Sequence, residues 1–353
     1  MLGAMVAFGA LTAASSPHAA VLSTEFALGG AVGTPGTYTL SSLTALPATT
    51  ETVTFTAGSA PTTDTYTGVL MSNLLSSAGG ITTTPGVKND VLRKYVIATG
   101  SDGYKAVVGA AEFGSNFGNR GVMVAYADTA GQLGASGSAG FARLVVPGDV
   151  AGGRYVSNLV DLKVGTAPSV PGNGGGLSTQ FTLSGAISNP ATYTLSKLQA
   201  LTQTTETATY SGPSGLVTDT YTGLTLWNLI TAAGLVTDAA IKNDVLRKYA
   251  LVTGSDGYEA IFPLGEIAPM FGNQPDLVAF SDTGGQLGTG GPEGFARLVV
   301  PGDTAGGRYV SNIIGIQVID ATVPEPATLG LLLVGSLGLA LARRRGRFTG
   351  RSG

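Results

Sequence analysis

The sequence predicts an α+β protein that consists of two tandem β-rich domains and a C-terminal transmembrane helix. Three observations support this fold class. The chain of 353 residues has 54 Gly and 43% hydrophobic residues, which is typical of folded domains with many turns. Its body is one sequence unit that occurs twice. Near its end, an uncharged apolar stretch is followed at once by a run of Arg.

The repeat is visible as pairs of identical segments. TDTYTG occurs at 63–68 and 218–223, and KNDVLRKY occurs at 88–95 and 242–249, so the offset changes from 155 to 154 residues. A period of this length corresponds to a whole domain and is too long for a solenoid unit. The predicted organisation is a first domain at 22–165, a flexible Gly/Pro linker at 166–176 and a second domain at 177–320.

Each unit is predicted to combine several strands with one or two helices. TETVTFTA at 50–57 alternates as a strand does. Residues 68–78 have helical spacing and precede Gly79, a helix-ending residue. LRKYVIATG leads into a Ser-Asp-Gly turn, and FARLVVPGD is an apolar strand that Pro-Gly ends. This mixture indicates an α+β domain.

Both ends of the chain have features of an exported protein. Residues 1–20 have an apolar stretch and a small-residue cleavage site, which predicts a signal peptide, although no Lys or Arg precedes the apolar stretch. The alternative is a buried N-terminal segment. Residues 327–342 carry no charge and would extend about 24 Å as a helix, against a bilayer core of about 30 Å. The Arg run that follows is expected to stay cytoplasmic, so the body faces outward.

The tail resembles the PEP-CTERM sorting signal of Gram-negative bacteria, which is also labelled the ice-binding protein C-terminal motif. The resemblance covers 323–345 and implies recognition by an exosortase-type enzyme in bacteria that make exopolysaccharide. The protein would be anchored in the inner membrane, by a helix that is either permanent or removed by processing, and would then reach the cell surface or the extracellular space. The matching residues are Val323, Pro324, Glu325, Pro326, Arg343, Arg344 and Arg345.

Composition excludes several functional classes. The chain has no Cys, and its one His is His18 in the predicted leader. Thiolate metal sites, disulfides, and Cys or His nucleophile–base pairs are therefore excluded from the body. Five of the 19 basic residues are Arg residues of the tail, which leaves 14 basic against 22 acidic residues. An acidic body argues against a nucleic-acid partner. We predict no catalytic residue and no metal ligand.

The body resembles the oxidoreductase molybdopterin-binding domain of the sulfite oxidase family. The matching segments are Tyr66 through Leu75, Ser101 to Tyr104, Arg143 through Gly148 and Arg154-Tyr155, and in the second unit Tyr221 through Ile230, Ser255 to Tyr258, Arg297 through Gly302 and Arg308-Tyr309. The family holds molybdenum with a Cys thiolate. By spacing, that position falls near Thr56 and near Tyr210, neither of which supplies a thiolate. The expectation is a retained fold without the metal centre or a cofactor.

The candidate binding residues follow the same segments. An Asp-Gly pair is more often a turn than a ligand site. The Arg that precedes each apolar strand is expected to pair with Asp149 or Asp303, or else to bind an anion. Arg154 and Arg308, each followed by a Tyr, are the better candidates for ligand contact, because Arg and Tyr are favoured at contact surfaces. The eight candidates are Arg143, Arg154, Tyr155 and Asp102, with Arg297, Arg308, Tyr309 and Asp256.

Two further groups have open interpretations. The KNDVLRKY segments are either solvated loops or a contact for acidic polysaccharide. A Ca²⁺ site at Asp276, Asp282 and Glu293 is conceivable, but their spacing matches no EF-hand loop.

The favoured function is that of an exported surface or matrix protein without catalysis. Exopolysaccharide is its candidate ligand, because two linked copies would gain from multivalency. The alternatives are a molybdopterin-dependent oxidoreductase and a module that binds a small anion.

Overall fold

The computed structural model of the chain describes residues 22–134, 140–212, 214–288 and 292–321. These residues form a β-rich fold with few and short helices, as the sequence predicts. The predicted signal peptide at 1–20, sorting tail at 323–345 and transmembrane helix at 327–342 lie outside the described residues. Within the described ranges, no helix is long and apolar enough to span a bilayer.

The two sequence units, called repeat 1 and repeat 2 below, have the same order of elements. Repeat 1 contains β1 (Glu25–Gly30), β2 (Gly36–Thr39), α1 (Leu40–Thr44), β3 (Thr49–Ala57), β4 (Ala60–Leu70), α2 (Met71–Ser77), a 3₁₀ turn (Asp90–Arg93), β5 (Lys94–Gly100), β6 (Lys105–Gly109), α3 (Ala110–Phe113), β7 (Met123–Asp128), β8 (Gly131–Gln132), β9 (Arg143–Val145), a 3₁₀ turn (Gly152–Arg154) and β10 (Leu159–Thr166).

Repeat 2 contains β11 (Gln180–Gly185), β12 (Ala191–Thr194), α4 (Leu195–Gln199), β13 (Thr204–Gly212), β14 (Gly215–Thr225), α5 (Leu226–Ala232), a 3₁₀ turn (Asp244–Arg247), β15 (Lys248–Gly254), β16 (Glu259–Pro263), α6 (Leu264–Ile267), β17 (Leu277–Asp282), β18 (Gly285–Gln286), β19 (Arg297–Val299), a 3₁₀ turn (Gly306–Arg308) and β20 (Ile313–Asp320).

Each repeat has two sheets. In repeat 1 the first has the order β2-β1-β10-β5-β6, and the second has the order β3-β4-β7-β8 with β9 also paired to β7. Strands β1 and β10 are parallel and their other neighbours are antiparallel. The first and last strands of the repeat therefore close one sheet. Repeat 2 has the same two sheets, β12-β11-β20-β15-β16 and β13-β14-β17-β18 with β19.

The predicted strand at 50–57 forms the hairpin partner of β4. Its alternation places Thr side chains on one exposed face, where they pair across the hairpin, for example Thr52 with Thr65 at 2.9 Å between hydroxyl oxygens. The helix predicted at 68–78 begins later, at Met71, because Gly68 to Leu70 still pair with β7. A Cβ at Gly68 would lie 2.3 Å from the carbonyl oxygen of Val124, so the close approach of β4 to β7 requires glycine.

The repeats pack against each other through a contact region called the seam. Repeat 1's core includes Leu246 and Phe271 of repeat 2, and repeat 2's core includes Leu92 and Phe117 of repeat 1. A third apolar cluster lies between the two first sheets. Its buried members are Tyr95, Ile97, Val107 and Ala167 with Tyr249, Leu251 and Ile261. The same contacts occur twice with the repeats exchanged, so the repeats form a pseudo-twofold pair.

Backbone hydrogen bonds across the seam obey the same symmetry. The amide of Val150 donates to the carbonyl of Phe271 at 2.7 Å, and the amide of Thr304 donates to the carbonyl of Phe117 at 3.0 Å. The segment predicted as a flexible linker is also hydrogen-bonded to repeat 2. Its residue Asn173 donates a backbone N–H to Ser255 O at 3.0 Å.

Candidate functional site: a cavity beside the seam

The KNDVLRKY segments hold the two repeats together. The side-chain amide of Asn89 donates to the Tyr258 hydroxyl at 2.8 Å, and that of Asn243 donates to the Tyr104 hydroxyl at 2.9 Å. In both cases the Asn backbone is left-handed, with φ of 52° and 53°. Lys88 lies 5.7 Å from the centre of the Tyr258 ring, within the range of a cation–π contact. These segments, for which the sequence offers a solvated loop or a polysaccharide contact, thus also form contacts between the repeats.

Arg154 lies at the centre of a buried ion group in repeat 1. Its Nε and Nη2 donate to Asp149 at 2.8 and 2.6 Å, and its Nη1 donates to Glu112 at 2.6 Å. The side chain has no exposed surface. Burial opposes its charge, but the carboxylates of Asp149 and Glu112 outweigh burial and raise the pKa of Arg154. These donors are thus already occupied within the fold.

Arg308 repeats this arrangement with Asp303 and Glu266. From the sequence, Asp149 and Asp303 were expected to form ion pairs with Arg143 and Arg297. The structure instead gives these carboxylates to the second Arg of each repeat, because the 3₁₀ turn that carries it folds back beside them.

Among the described residues, repeat 2 has two buried acids that repeat 1 lacks, Glu259 and Asp276. Asp276 is 1% exposed and stands where repeat 1 has Val122. Neither of its carboxyl oxygens has a hydrogen-bond partner among the described residues. Burial, and then the nearby charge of Glu266, raise the pKa of Asp276 well above its usual value. Burial also raises the pKa of Glu266 to about 7, although Arg308 opposes this shift.

A cavity of about 840 Å³ opens in repeat 2 beside the seam. Most of its wall belongs to repeat 2, and the 88–89 and 116–117 segments of repeat 1 complete it. Its wall combines aromatic rings, amides, hydroxyls and charges of both signs. These groups are Phe117, Tyr210, Tyr258 and Tyr309; Asn89, Asn116 and Asn312; Ser211, Ser255 and Ser311; Lys88, Arg297, Asp256 and Glu293.

A second, smaller cavity of about 440 Å³ continues from the first. The two share Tyr210, Val217, Glu293 and Arg297, so together they form one elongated groove. A groove of this kind accommodates an extended ligand better than a compact one.

Arg297 lies in this shared part of the wall. It forms an ion pair with Glu293, and its guanidinium lies 5.4 Å from the centre of the Tyr309 ring. Its Nε is buried and has no hydrogen-bond partner among the described residues. The equivalent Arg143 differs, because its Nε donates to Ser157 at 2.9 Å and its Nη1 to Tyr66 at 2.8 Å.

Three of the four repeat-2 candidates, Arg297, Tyr309 and Asp256, line the cavity together, whereas Arg308 is buried away from it. Asp256 also caps its turn, because its carboxylate accepts the N–H of Tyr258 at 3.0 Å. Asp102 makes the same turn contact in repeat 1. Tyr155 is buried against Phe55, with ring centres 4.5 Å apart.

The acids considered for Ca²⁺ do not converge. Asp276 is buried at the seam, Asp282 accepts the N–H of Gly284 in a turn at 2.8 Å, and Glu293 pairs with Arg297. Within the described part of the chain, no group of three or more acidic or His side chains could hold a metal ion.

Sequence reasoning missed the cavity residues that come from the other repeat and from separate strands. Asn116 and Phe117 follow α3 in repeat 1, and Tyr210 stands where repeat 1 has Phe55. One signal was available, the KNDVLRKY segment that contains Asn89. It is identical in both repeats, as a pseudo-twofold contact between them would require. Nothing in the sequence shows that this contact also forms a cavity wall.

Comparison with known proteins identifies the tail. The family model of the PEP-CTERM protein-sorting motif matches residues 322–345. The motif indicates an exported protein that an exosortase-type sorting enzyme processes and that is anchored to a membrane for sorting to the cell surface.

Among solved structures, the chain is similar to the sulfane dehydrogenase SoxCD from Paracoccus pantotrophus. The identity is 21% over 46% of this chain and 44% of that chain, with a TM-score of 0.34. The chain thus spans less than half the length of that structure. No curated protein matches the sequence.

Proposed function

We propose that the protein is an exported, non-catalytic surface or matrix protein that binds exopolysaccharide in the groove of repeat 2. Residues 327–342 would span the inner membrane until the sorting enzyme acts, with the body outside the cytoplasm. The sorting motif at 322–345 supports export. The observation that carries the binding proposal is the mixed chemistry of the 840 Å³ cavity.

The lining of the cavity suits sugar units. Tyr and Phe rings provide apolar faces for the C–H surfaces of a sugar, while their edges or hydroxyls remain polar. Asn side chains offer both donors and acceptors to sugar hydroxyls. The cations Lys88 and Arg297 are balanced by the carboxylates Asp256 and Glu293, so the wall offers charged groups of both signs to a polymer. The continuation into a second cavity provides room for neighbouring units of the same polymer.

The residues do not fit a molybdenum centre of the sulfite oxidase type. The strand position expected for the ligand is occupied by Thr56 in repeat 1. Each strand forms an isolated parallel bridge at this point, which makes Ser211, directly after Tyr210, the structural equivalent of Thr56. None of the three supplies a thiolate. Two of the four candidate Arg residues, Arg154 and Arg308, are buried and fully occupied by carboxylates.

The chain offers matched controls for testing the groove. Arg297→Gln removes a groove cation, and Arg143→Gln removes the equivalent Arg of repeat 1. Lys88→Gln and Lys242→Gln form a second matched pair. We expect the Arg297 and Lys88 variants to lose retention on the exopolysaccharide of the producing bacterium, and the controls to keep it. Equal retention of all four variants, or of the protein and an unrelated blank protein, contradicts the proposal.

A small anion is the second candidate ligand, because the Nε of Arg297 is a buried donor without a partner among the described residues. Such a donor favours an anion that enters beside it. Titration with inorganic phosphate and sulfate distinguishes the two ligands. Anion binding that is lost in Arg297→Gln, without any retention on the polymer, favours the small-anion module.

A further inference from the structure

The groove of repeat 2 contains a carboxylate that repeat 1 lacks. Glu293 stands where the sequence of repeat 1 has Ala139. Its backbone is fixed by Asn312, whose N–H donates to the Glu293 carbonyl at 2.9 Å and whose side-chain amide donates to the Pro292 carbonyl at 2.6 Å. The Glu293 side chain lies in the part of the wall that both cavities share. The carboxylate is therefore attached to a fixed backbone where the two cavities meet.

This carboxylate gives Arg297 an arrangement that differs from that of Arg143. In repeat 1, Arg143 donates to a serine and a tyrosine hydroxyl. The equivalent serine of repeat 2, Ser311, lines the cavity. Arg297 donates instead to Glu293 and, at 3.3 Å, to the Tyr210 hydroxyl. Repeat 1 has Ala and Phe at the positions of these two partners, so its Arg cannot be held in the same way.

The ion pair leaves Arg297 little charge to offer an anionic ligand. The Arg297 side chain is 13% exposed. Burial opposes its charge, but the Glu293 carboxylate outweighs burial and raises the pKa of Arg297. Its buried Nε, which has no partner among the described residues, is still available as a donor. An uncharged sugar oxygen can accept a hydrogen bond from this donor without competing with Glu293 for the guanidinium.

The charges along the rest of the groove act in the same direction. In the first cavity, Asp256 and Glu293 balance Lys88 and Arg297. The second cavity adds two carboxylates and, among the described residues, no further cation. These carboxylates are Asp219 and Asp282. A binding site discriminates against a ligand by placing like charges where the charges of that ligand would lie. The groove as a whole therefore disfavours a polymer of uronic acids.

We propose that the groove selects sugar units without carboxyl groups and that Glu293 is the residue that excludes uronic acids. A neutral unit donates and accepts through its hydroxyls and meets no like charge, whereas the carboxylate of a uronic acid beside Arg297 lies against Glu293. This inference rests on the proposed function and narrows the exopolysaccharide to one chemical class.

The test compares one polymer in two chemical forms. The exopolysaccharide of the producing bacterium is either reduced at its carboxyl groups or oxidised at its primary hydroxyls to carboxylates. We expect the full-length protein in a neutral detergent to bind the reduced form about fivefold more tightly than the oxidised form. Glu293→Gln should bind both forms nearly equally. Glu25→Gln, which removes an exposed carboxylate outside the groove, should keep the preference of the wild type.

A second measurement does not depend on the polymer. In a titration with inorganic sulfate, Glu293→Gln should bind several-fold more tightly than the wild type, because Arg297 has lost its internal carboxylate. Adding Arg297→Gln should remove this gain.

The two measurements separate the possible failures. The proposal is overturned if wild type and Glu293→Gln have the same preference between the two polymer forms, or if the wild type binds sulfate as tightly as the variant. If neither polymer form is retained by any variant, the proposed function fails and the sulfate titration decides the role of Glu293. A gain that depends on Arg297 then supports this role, and no gain refutes it.

Discussion

Replacing Asp276 with Val, the residue at the equivalent position in repeat 1, is expected to stabilise the protein. Asp276 is almost fully buried, and both carboxyl oxygens lack partners among the described residues. The backbone tolerates the exchange, because the carbonyl at each position accepts an N–H from the start of the neighbouring helix, Leu226 at 2.7 Å for Asp276 and Met71 at 2.8 Å for Val122. The variant therefore removes a polar group without removing a contact.

The gain in folding free energy expected for Asp276→Val has a constant part and a part that depends on pH. A buried polar group without a partner costs about 1–3 kcal/mol of folding free energy, and this is the gain expected in acid. Because the pKa of Asp276 is raised in the folded state, the unfolded chain loses its proton first as pH rises. The folded wild type then binds more protons, so its stability falls by about 1.4 kcal/mol per pH unit until its own pKa is reached.

The charged groups around Asp276 also affect how easily its carboxyl ionises. Arg308 and Arg120 favour the ionised form of Asp276, whereas Glu266 and Asp303 oppose it. Glu266 remains in the variant. Burial also raises the pKa of Glu266, to about 7. Because the two buried carboxyls oppose each other's ionisation, the difference between wild type and variant reports the pair as well as Asp276 itself.

Urea unfolding from pH 5 to 8 measures both parts, with the fluorescence of Trp227, the one Trp in the chain, as the probe. Asp276→Asn serves as the control, because it removes the charge and keeps a buried polar group. It should lose the pH-dependent part and keep most of the constant cost. Parallel stability curves for wild type and Asp276→Val across this range would show that the carboxyl does not change its protonation, and would refute the reasoning.

Three further substitutions test the packing of the two repeats by thermal or urea unfolding. Arg154→Gln should cost about 3–5 kcal/mol, because its two buried carboxylate partners lose their hydrogen-bonded cation and keep only the more distant Arg120, at 3.7 and 3.9 Å; a cost below about 1 kcal/mol would mean that Arg120 or water replaces Arg154. Gly153→Ala should cost about 1–3 kcal/mol, since its Cβ would lie 2.2 Å from the Phe271 ring, and unchanged stability would show a seam that yields easily. Tyr258→Phe should cost about 1–3 kcal/mol, because its hydroxyl loses both the Asn89 donor and the Gly307 carbonyl acceptor, and Tyr104→Phe should match it if the seam is symmetric.

Local patterns in the sequence predicted the features that depend on residues close together in the chain, such as one strand and the sorting tail. The alternation at 50–57 corresponds to β3, Thr49–Ala57, because period-2 patterning specifies one buried face. The sorting tail was identified from its three ordered parts and is confirmed by the match at 322–345. The start of the helix after β4 was predicted three residues early, because pairing of Gly68 with β7 is a tertiary contact that helical spacing does not reveal.

The candidate site could not be predicted in the same way, because it is formed by residues that are far apart in the sequence. Arg154 receives one carboxylate from five residues away and another, Glu112, from 42 residues away, so neighbouring sequence could not select its partners. Asn89 meets Tyr258 across 169 residues. The Asn89–Tyr258 pair becomes visible only when the packing of the two repeats is known, because neither repeat alone contains both partners.

The identities and the differences between the repeats have separate physical meanings. A pseudo-twofold seam needs the same donor and acceptor on both sides, which accounts for two identical copies of the segment that contains Asn89 or Asn243. A unique cavity instead requires that the copies differ, since a symmetric pair would form it twice. The differences lie at such places: Phe55 and Tyr210 at the cavity, and Val122 and Asp276 at the buried ion group. The asymmetric positions, more than the identical ones, are therefore where ligand binding should be sought.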